Sequence, residues 1–246
     1  MKIWQTLLLT ALIAAGIPGV RLAAREQTAP EDTEPALAVK RLWSPDKAVR
    51  EAAEQELIHL GPRAITPLLG ALEFVANHID RLTLVLQDAE PQEAERLNAD
   101  AAAMQWLPDD VCGLLGRLRA EAAIPLLIRI MEERWENDLM DKWSPERQAL
   151  VEIGAPPVPA IIESTITADA THDRLKHRDP NQVPGFTIQL RAAKVLERIG
   201  DARALPVLES LLADNRMAEN EYFLGQIGYY VEMIEKKTNL PHTVAH

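Results

Sequence analysis

Residues 44–72, SPDKAVREAAEQELIHLGPRAITPLLGAL, have the sequence pattern of one complete helix–turn–helix unit. Leu57 and Leu60 place two apolar side chains on one helix face, and Gly61 follows as a residue that adopts a left-handed turn at low cost. Pro67 comes early in a second apolar run, where its missing backbone N–H is tolerated in the first helical turn. The stretch therefore predicts two antiparallel helices joined by a short turn.

The same pattern recurs three more times along the chain. The further segments are LGRLRAEAAIPLL, LVEIGAPPVPAII and LERIGDARALPVL, with turn residues Arg119, Gly154 and Gly200. In each, an aliphatic residue precedes the turn, and a proline follows it by five or six residues. A helix pair that repeats in this way needs neighbouring pairs to cover its apolar faces. We therefore expect a stacked array of about four pairs.

Residues 44–72 closely resemble a HEAT repeat of the short bacterial type, also called the PBS lyase HEAT-like repeat. The resemblance is carried by Val49-Arg50, Ala52-Ala53, Leu57, Gly61 and Ile65-x-Pro67. Residues 190–212 match nearly as well, whereas the second segment has Arg119 in place of the turn glycine and the third has a short first helix. The resemblance implies an all-α, right-handed α-α superhelix (solenoid) of about four HEAT-like helix pairs. It also implies a binding scaffold, the usual role of HEAT arrays.

The composition is that of a globular protein and excludes several functional classes. The chain has 246 residues, of which 47% are hydrophobic and 26% are charged. Its 26 Lys and Arg stand against 37 Asp and Glu, which argues against a nucleic-acid partner because phosphate binding needs concentrated positive charge. A single cysteine excludes an internal disulfide and a thiolate zinc cluster.

The N-terminal residues have the pattern of an export signal. Lys2 precedes an uncharged run over residues 3–20, and Leu22-Ala23-Ala24 forms a cleavage region. We predict a signal peptide over 1–24, a flexible linker over 25–35, and a protein that is periplasmic or secreted from a bacterium. An inner-membrane anchor formed by residues 3–20 and a buried core helix are the alternatives.

The remaining chain is predicted to be one repeat domain over residues 36–237, followed by a tail over 238–246. A capping helix is expected near residues 36–43 and another near 219–237. The repeated Trp-Ser-Pro-acid stretches at 43–46 and 143–146 predict serine N-caps with proline at the first helical position. Both tryptophans are expected to pack at joints between repeats.

Two insertions interrupt the repeats. The first, about 78–108, is predicted to extend a helix and to add another from Pro91; between Asp88 and Asp110 it holds seven acids and one base. It is a solvated helix face or a docking surface for a basic partner, with Glu90, Glu93 and Glu95 as the binding candidates.

The second insertion, residues 165–185, shows no apolar period and is predicted to be a loop because Pro180, Pro184 and Gly185 fall within it. Its histidines, His172 and His177, are capable of metal binding, but their spacing does not align them on one helix face. A solvated charged loop is the simpler interpretation. This segment also contains two basic residues that are candidates for binding a partner protein, Arg174 and Lys176.

The C-terminal stretch EYFLGQIGYYVEMIEKK, residues 221–237, contains all three tyrosines. Its periodicity places Tyr222 and Tyr229 on one stripe and the aliphatic residues on another. A capping helix over the last repeat is expected, with an aromatic docking patch formed by these two tyrosines as the alternative.

The sequence contains no HExxH, GxSxG, GxxxxGK[ST] or GxGxxG motif, and no histidine is followed by glutamate as in the HEAT-type hydroxylases. We therefore predict no catalytic residue and no cofactor. The expected function is a non-catalytic scaffold that binds another protein in the bacterial envelope or outside the cell. The alternatives are an enzyme or accessory factor with a metal- or ligand-dependent site near residues 165–185, bilin-lyase-like or of another HEAT type, and a structural spacer.

Overall fold

The computed structural model describes residues 33–88, 92, 107–133, 144–176 and 185–239. Within these ranges the regular secondary structure is entirely helical. The predicted signal or anchor, residues 25–32 of the predicted linker, almost all of the acidic insertion beyond residue 88, and residues 240–246 lie outside them.

The α-helices are numbered here in chain order. They are α1 (Glu34–Arg41), α2 (Lys47–Leu60), α3 (Ile65–Asp88), α4 (Leu107–Arg117), α5 (Ile124–Glu133), α6 (Pro145–Ile153), α7 (Val158–Lys176), α8 (Gly185–Ile199), α9 (Leu205–Leu212) and α10 (Glu221–Asn239). Units 1 to 4 are the pairs α2/α3, α4/α5, α6/α7 and α8/α9. Each unit corresponds to one of the four repeated segments, so the predicted pair count is confirmed over the described residues.

The units stack in two layers. The first layer consists of α2, α4, α6 and α8, each of which packs on the next. The second layer consists of α1, α3, α5, α7 and α9, and each second helix also packs on the first helix of the following unit. The described residues therefore form an all-α solenoid, as predicted.

The four aligned turn residues share one backbone property that joins the helices of each unit. Gly61, Arg119, Gly154 and Gly200 have φ of 59°, 49°, 92° and 75°, and within the described residues no other residue has a positive φ. Gly61 and Gly154 combine this φ with ψ near −130°, a region that is open mainly to glycine. At Arg119 the turn is a Schellman motif, because Ala120 N–H donates to Leu115 O at 3.0 Å and Arg119 N–H to Gly116 O at 2.8 Å.

One continuous apolar core runs through the stack. It includes buried side chains from α1 to α10, among them Leu42, Leu57, Leu115, Leu150 and Phe223. The predicted leucine stripes before the turns therefore face this core. Cys112, the lone cysteine, is also buried there as a small side chain.

Helices α1 and α10 close the two ends of the described array. Helix α1 packs on α2 and α3, and α10 packs on α8 and α9. Both capping helices are confirmed near their predicted positions, although α1 already begins at Glu34 and α10 continues to Asn239. The two capping helices thus extend two residues beyond the predicted domain limits of 36 and 237.

The predicted loop over 165–185 is wrong for its first half, because α7 continues through Lys176. The buried face of this extension consists of small and polar side chains, Thr165, Ala168 and Thr171, so a search for large apolar residues misses it. Gly185 is the first residue of α8 rather than part of a loop. Residues 177–184 lie outside the described ranges.

The predicted serine caps are half right. Ser144 occupies the N-cap position of α6 and Pro145 follows it at the first helical position, but the Ser144 side chain accepts no capping hydrogen bond from the helix backbone. In the first unit, however, the helix begins at Lys47, and Asp46 is the N-cap, with its side chain accepting from Ala48 N–H at 2.9 Å.

Candidate functional site

Helix α10 presents an aromatic face at the end of the array. Tyr222 and Tyr229 lie two helical turns apart with Gly225 between them, and each tyrosine is 52% exposed. The ring of Tyr229 meets that of Tyr230 edge-on at 5.9 Å, and Tyr230 donates its hydroxyl to Gln226 Oε1 at 3.2 Å. The opposite face is buried through Phe223, Ile227, Tyr230 and Ile234. The helix thus covers unit 4 and leaves two tyrosines on the surface.

The second layer carries exposed apolar side chains that the sequence analysis did not single out. They are Leu37 on α1, Phe74 on α3, Ile166 on α7 and Leu212 on α9. Within the described residues, the first-layer helices α2, α4, α6 and α8 contribute no large apolar side chain of comparable exposure. The edge contact of Phe74 with Trp43, at 5.4 Å between ring centroids, places that tryptophan between α1 and α3. Spacing along the sequence does not reveal their exposure, because Leu212 follows Leu208 by four residues and so shares its apolar period.

Of the other predicted site residues, the structure describes His172, Arg174 and Lys176, which lie on α7. Glu90, Glu93, Glu95 and His177 lie outside the described residues, as does Trp143. His172 is half-buried on α7, whose last turn contains Arg174 and Lys176. Across the described ranges, no three His, Cys, Asp or Glu side chains are grouped closely enough to hold a metal ion.

Buried polar side chains concentrate between units 2, 3 and 4. Ser164 Oγ donates to Glu132 Oε1 at 2.6 Å and joins α7 to α5. Arg191 Nη1 donates to the backbone oxygen of Met131 at 3.1 Å and joins α8 to α5. Because the first bond joins unit 2 to unit 3 and the second joins unit 2 to unit 4, they hold the three units in register and satisfy polar groups that burial would otherwise penalise.

Two ion pairs between α2 and α4 join units 1 and 2. Arg117 Nη2 donates to Glu54 Oε2 at 2.9 Å, and Arg50 Nε lies 3.5 Å from Asp110 Oδ2. Burial raises the pKa of the Asp110 carboxyl above its ordinary value, and the nearby Glu54 carboxylate adds to the rise, while the Arg50 guanidinium opposes it. The joint between α2 and α4 therefore contains a carboxyl whose charged form is disfavoured.

Hydrogen bonds of Asp201 and Arg203 stabilise the turn of unit 4 and join it to unit 3. Asp201 accepts from the backbone N–H of Arg203 at 2.9 Å and from its guanidinium Nη2 at 2.6 Å, and the same guanidinium reaches Ala155 O at 3.1 Å. The hydrogen bond from Arg203 holds the pKa of Asp201 below its ordinary value. The turn of unit 4 is thereby bonded to the turn of unit 3.

Residues 188–214 match the family model of the PBS lyase HEAT-like repeat. The matched HEAT-like repeat covers most of α8, the turn at Gly200, and the whole of α9. It confirms the resemblance stated for residues 190–212, and the stacked units fit the all-α solenoid that such repeats build. No curated protein matches the chain with significant similarity.

None of the described helices has the length and apolarity needed to cross a membrane. The predicted anchor, residues 3–20, lies outside the ranges that this finding covers. Around the HEAT-like repeat of unit 4, the exposed groups include acids, arginines bonded to acids, lysines of α10, and the large apolar side chains of α7, α9 and α10. Such a surface is suited to recognition of another macromolecule.

Proposed function

We propose that this chain is a non-catalytic HEAT-repeat scaffold that binds another protein in the bacterial envelope or outside the cell. One observation carries the proposal: the exposed large apolar side chains of the described residues lie on the second layer and on α10, and not on α2, α4, α6 or α8. Single exposed leucines are ordinary, whereas exposed apolar side chains grouped on one side of an array are typical of an interaction surface. Extended repeat surfaces bind partners in this way.

The proposed location depends on the N-terminal pattern of Lys2 and the uncharged run over residues 3–20. The proposed absence of catalysis depends on the missing nucleophile, phosphate-binding and metal motifs of the sequence. An enzyme or accessory factor acting near His172 and His177, and a structural spacer, are the competing functions that the following experiment separates.

The full-length protein is immobilised and exposed to the solubilised envelope fraction of its own source. We expect capture of one specific partner that Tyr222→Ala/Tyr229→Ala weakens, because both aromatic side chains then leave the exposed face of α10. Gln55→Ala, an exposed change on the first-layer helix α2, is the matched control and should leave capture intact.

The insertions are tested in the same experiment. Reversal of Glu90, Glu93 and Glu95 to Lys weakens capture if the partner is basic, whereas replacing His172 and His177 with Ala leaves it intact. Loss of capture with the histidine variant or with a chelator contradicts the scaffold function and favours a metal-dependent one. Failure to capture any protein contradicts it in favour of a spacer.

A further inference from the structure

Units 3 and 4 carry the same pair of exposed side chains in the same register. Their second helices contain the related hexapeptides IIESTI and VLESLL. Glu163 and Glu209 each lie nine residues after the turn glycine of their unit, and Ile166 and Leu212 each lie twelve residues after it. Units 1 and 2 do not contain an acid followed three residues later by an aliphatic residue at these positions.

All four side chains face outward. Ile166 is 63% exposed, the largest value among the exposed apolar side chains of the described residues, and Leu212 is 37% exposed. Glu163 and Glu209 are also exposed, and residues three apart on a helix are neighbours on its surface. The adjoining residues that fix this orientation by facing the core are Ile161, Thr165, Leu208 and Leu211.

The two pairs lie on neighbouring helices, because α7 and α9 pack against each other in the second layer. Packed helices have axes about 8–10 Å apart, a distance that one helix lying across them can span. Among the described side chains, no ion pair joins Glu163 or Glu209 to a cation. Arg216, in the segment that follows α9, bonds the carboxylates of Asp169 and Asp214.

We propose that the paired face, formed by Glu163, Ile166, Glu209 and Leu212, binds a basic amphipathic helix of a partner protein. The inference rests on the proposed scaffold function and names the class of partner. Apolar side chains of such a helix cover Ile166 and Leu212, and its Lys or Arg side chains meet the two carboxylates. A second copy of this chain fits poorly, because two paired faces brought together would oppose acids with acids and the chain carries a net charge of −11.

The test uses the full-length protein and a fluorescein-labelled amphipathic peptide of about five helical turns, built from Leu on one face and Lys on the other. The matched peptide replaces every Lys with Glu. Fluorescence anisotropy should show saturable binding of the Lys peptide, which weakens as salt is raised, and no binding of the Glu peptide. Equal binding of both peptides overturns the proposal.

Variants then locate the binding. The double change Glu163→Lys/Glu209→Lys should raise the Kd of the Lys peptide at least about tenfold, because two attractive pairs become repulsive. The control Glu51→Lys/Glu235→Lys makes the same change in net charge on α2 and α10 and should alter the Kd by less than about twofold. Equal weakening by both double variants would show that only net charge matters and would overturn the proposal.

The apolar half of the paired face has its own variant. Ile166→Ser/Leu212→Ser keeps the charge and should also raise the Kd several-fold, with circular dichroism confirming that each variant is folded. Unchanged peptide binding by this variant overturns the proposal. The proposal is also overturned if sedimentation shows that the unmodified protein is a dimer and that this variant is a monomer. Envelope capture that depends on Tyr222 and Tyr229 but not on Glu163 and Glu209 leaves the scaffold function standing and refutes this inference alone. Absence of both capture and peptide binding refutes both.

Discussion

Gly116 of α4 and Ala149 of α6 lie so close together that a methyl group at position 116 would stand 2.8 Å from the Cα of Ala149. The first helices of units 2 and 3 therefore meet almost backbone to backbone, and they form one of the two most closely packed helix pairs of the described array. A Cβ at position 116 would also stand 2.6 Å from Glu152 Oε2. The spacing between these units is consequently set by the absence of a side chain at one position.

Gly116→Ala should lower the free energy of unfolding by about 1–3 kcal/mol, because α4 or α6 must shift to admit the methyl group. Gly113, one turn earlier in the same helix, has no atom within 4 Å of a built Cβ. Gly113→Ala should therefore raise the free energy of unfolding by about 0.5–1 kcal/mol, the usual gain in helix propensity. Urea denaturation measures both, and equal effects would contradict the close contact.

Lys237 fixes the capping helix to the repeat beneath it. Its Nζ donates to the backbone oxygen of Glu197 at 2.6 Å and to Glu197 Oε1 at 2.8 Å, near the end of α8 where the helix dipole favours a cation. Lys237→Met should lower the free energy of unfolding by about 1–2 kcal/mol, less than for a fully buried pair because the lysine is 37% exposed.

The neighbouring lysine is the control for this change. Lys236 pairs with Glu232 within α10 and is 62% exposed, so it contributes nothing to docking of the helix. Lys236→Met should leave the free energy of unfolding nearly unchanged, because solvent screens an exposed ion pair. If thermal or urea unfolding shows equal losses for the two variants, Lys237 does not hold the cap in place.

Among the non-glycine residues that the structure describes, Arg119 is the one with a positive φ. An L-residue pays a steric penalty of about 1–2 kcal/mol there, which glycine avoids at a smaller entropic cost. Arg119→Gly should therefore raise the free energy of unfolding by about 0.5–1 kcal/mol. Gly154→Ala, at the equivalent turn with φ 92° and ψ −129°, should lower it by more than about 1 kcal/mol, and an opposite sign in either variant would contradict the turn geometry.

Asp110 gives the α2/α4 joint a pH dependence with a defined sign. In the folded protein the pKa of Asp110 lies above the ordinary 3.8. The stability that its neutral carboxyl contributes is therefore complete below pH 3.8 and is lost as the pH rises through the folded pKa. Asp110→Asn removes a disfavoured charge and should stabilise the protein at pH 7. That advantage over the unmodified protein should shrink as pH falls towards 3.8.

Asp201 provides the control of opposite sign. Its pKa is lowered by Arg203, so its contribution is present above pH 3.8 and is lost as pH falls through the folded value. Asp201→Asn should therefore destabilise the protein at pH 7, and the difference from the unmodified protein should disappear in acid. Denaturation series across pH 3–7 test both aspartates, and pH curves of the same sign would refute the assignment.

The turns could be predicted from sequence because their signal is local and repeated. Aliphatic residues before Gly61, Gly154 and Gly200, with a proline after each, define the helix ends without knowledge of the packing. The same alignment predicts the turn at Arg119, where two Schellman hydrogen bonds stabilise a left-handed backbone conformation that glycine adopts at the other turns. The stacked helix pairs therefore follow from spacing, whereas the HEAT-like architecture is what the resemblance of residues 44–72 and 190–212 implies.

The second half of α7 and the paired face could not be predicted in this way. Ala168 packs against Ile188, and Asp169 lies against Gly185, so the packing of α7 on α8 depends on small side chains that carry little hydrophobic signal. Whether Ile166 faces the core or solvent depends on which side of α7 meets α8. That choice is made by tertiary packing and not by the local sequence.

Carboxyl footprinting of the full-length protein, with and without its captured partner, tests the central claim that the second layer is the binding surface. Carbodiimide labelling of Glu73, Glu163 and Glu209 on the second layer is compared with labelling of Glu51 on the first layer, all of which are exposed in the free protein. We predict that the partner protects the second-layer carboxylates, Glu163 and Glu209 most strongly, and leaves Glu51 unchanged. Protection of Glu51 with no change at Glu73, Glu163 and Glu209 would contradict it.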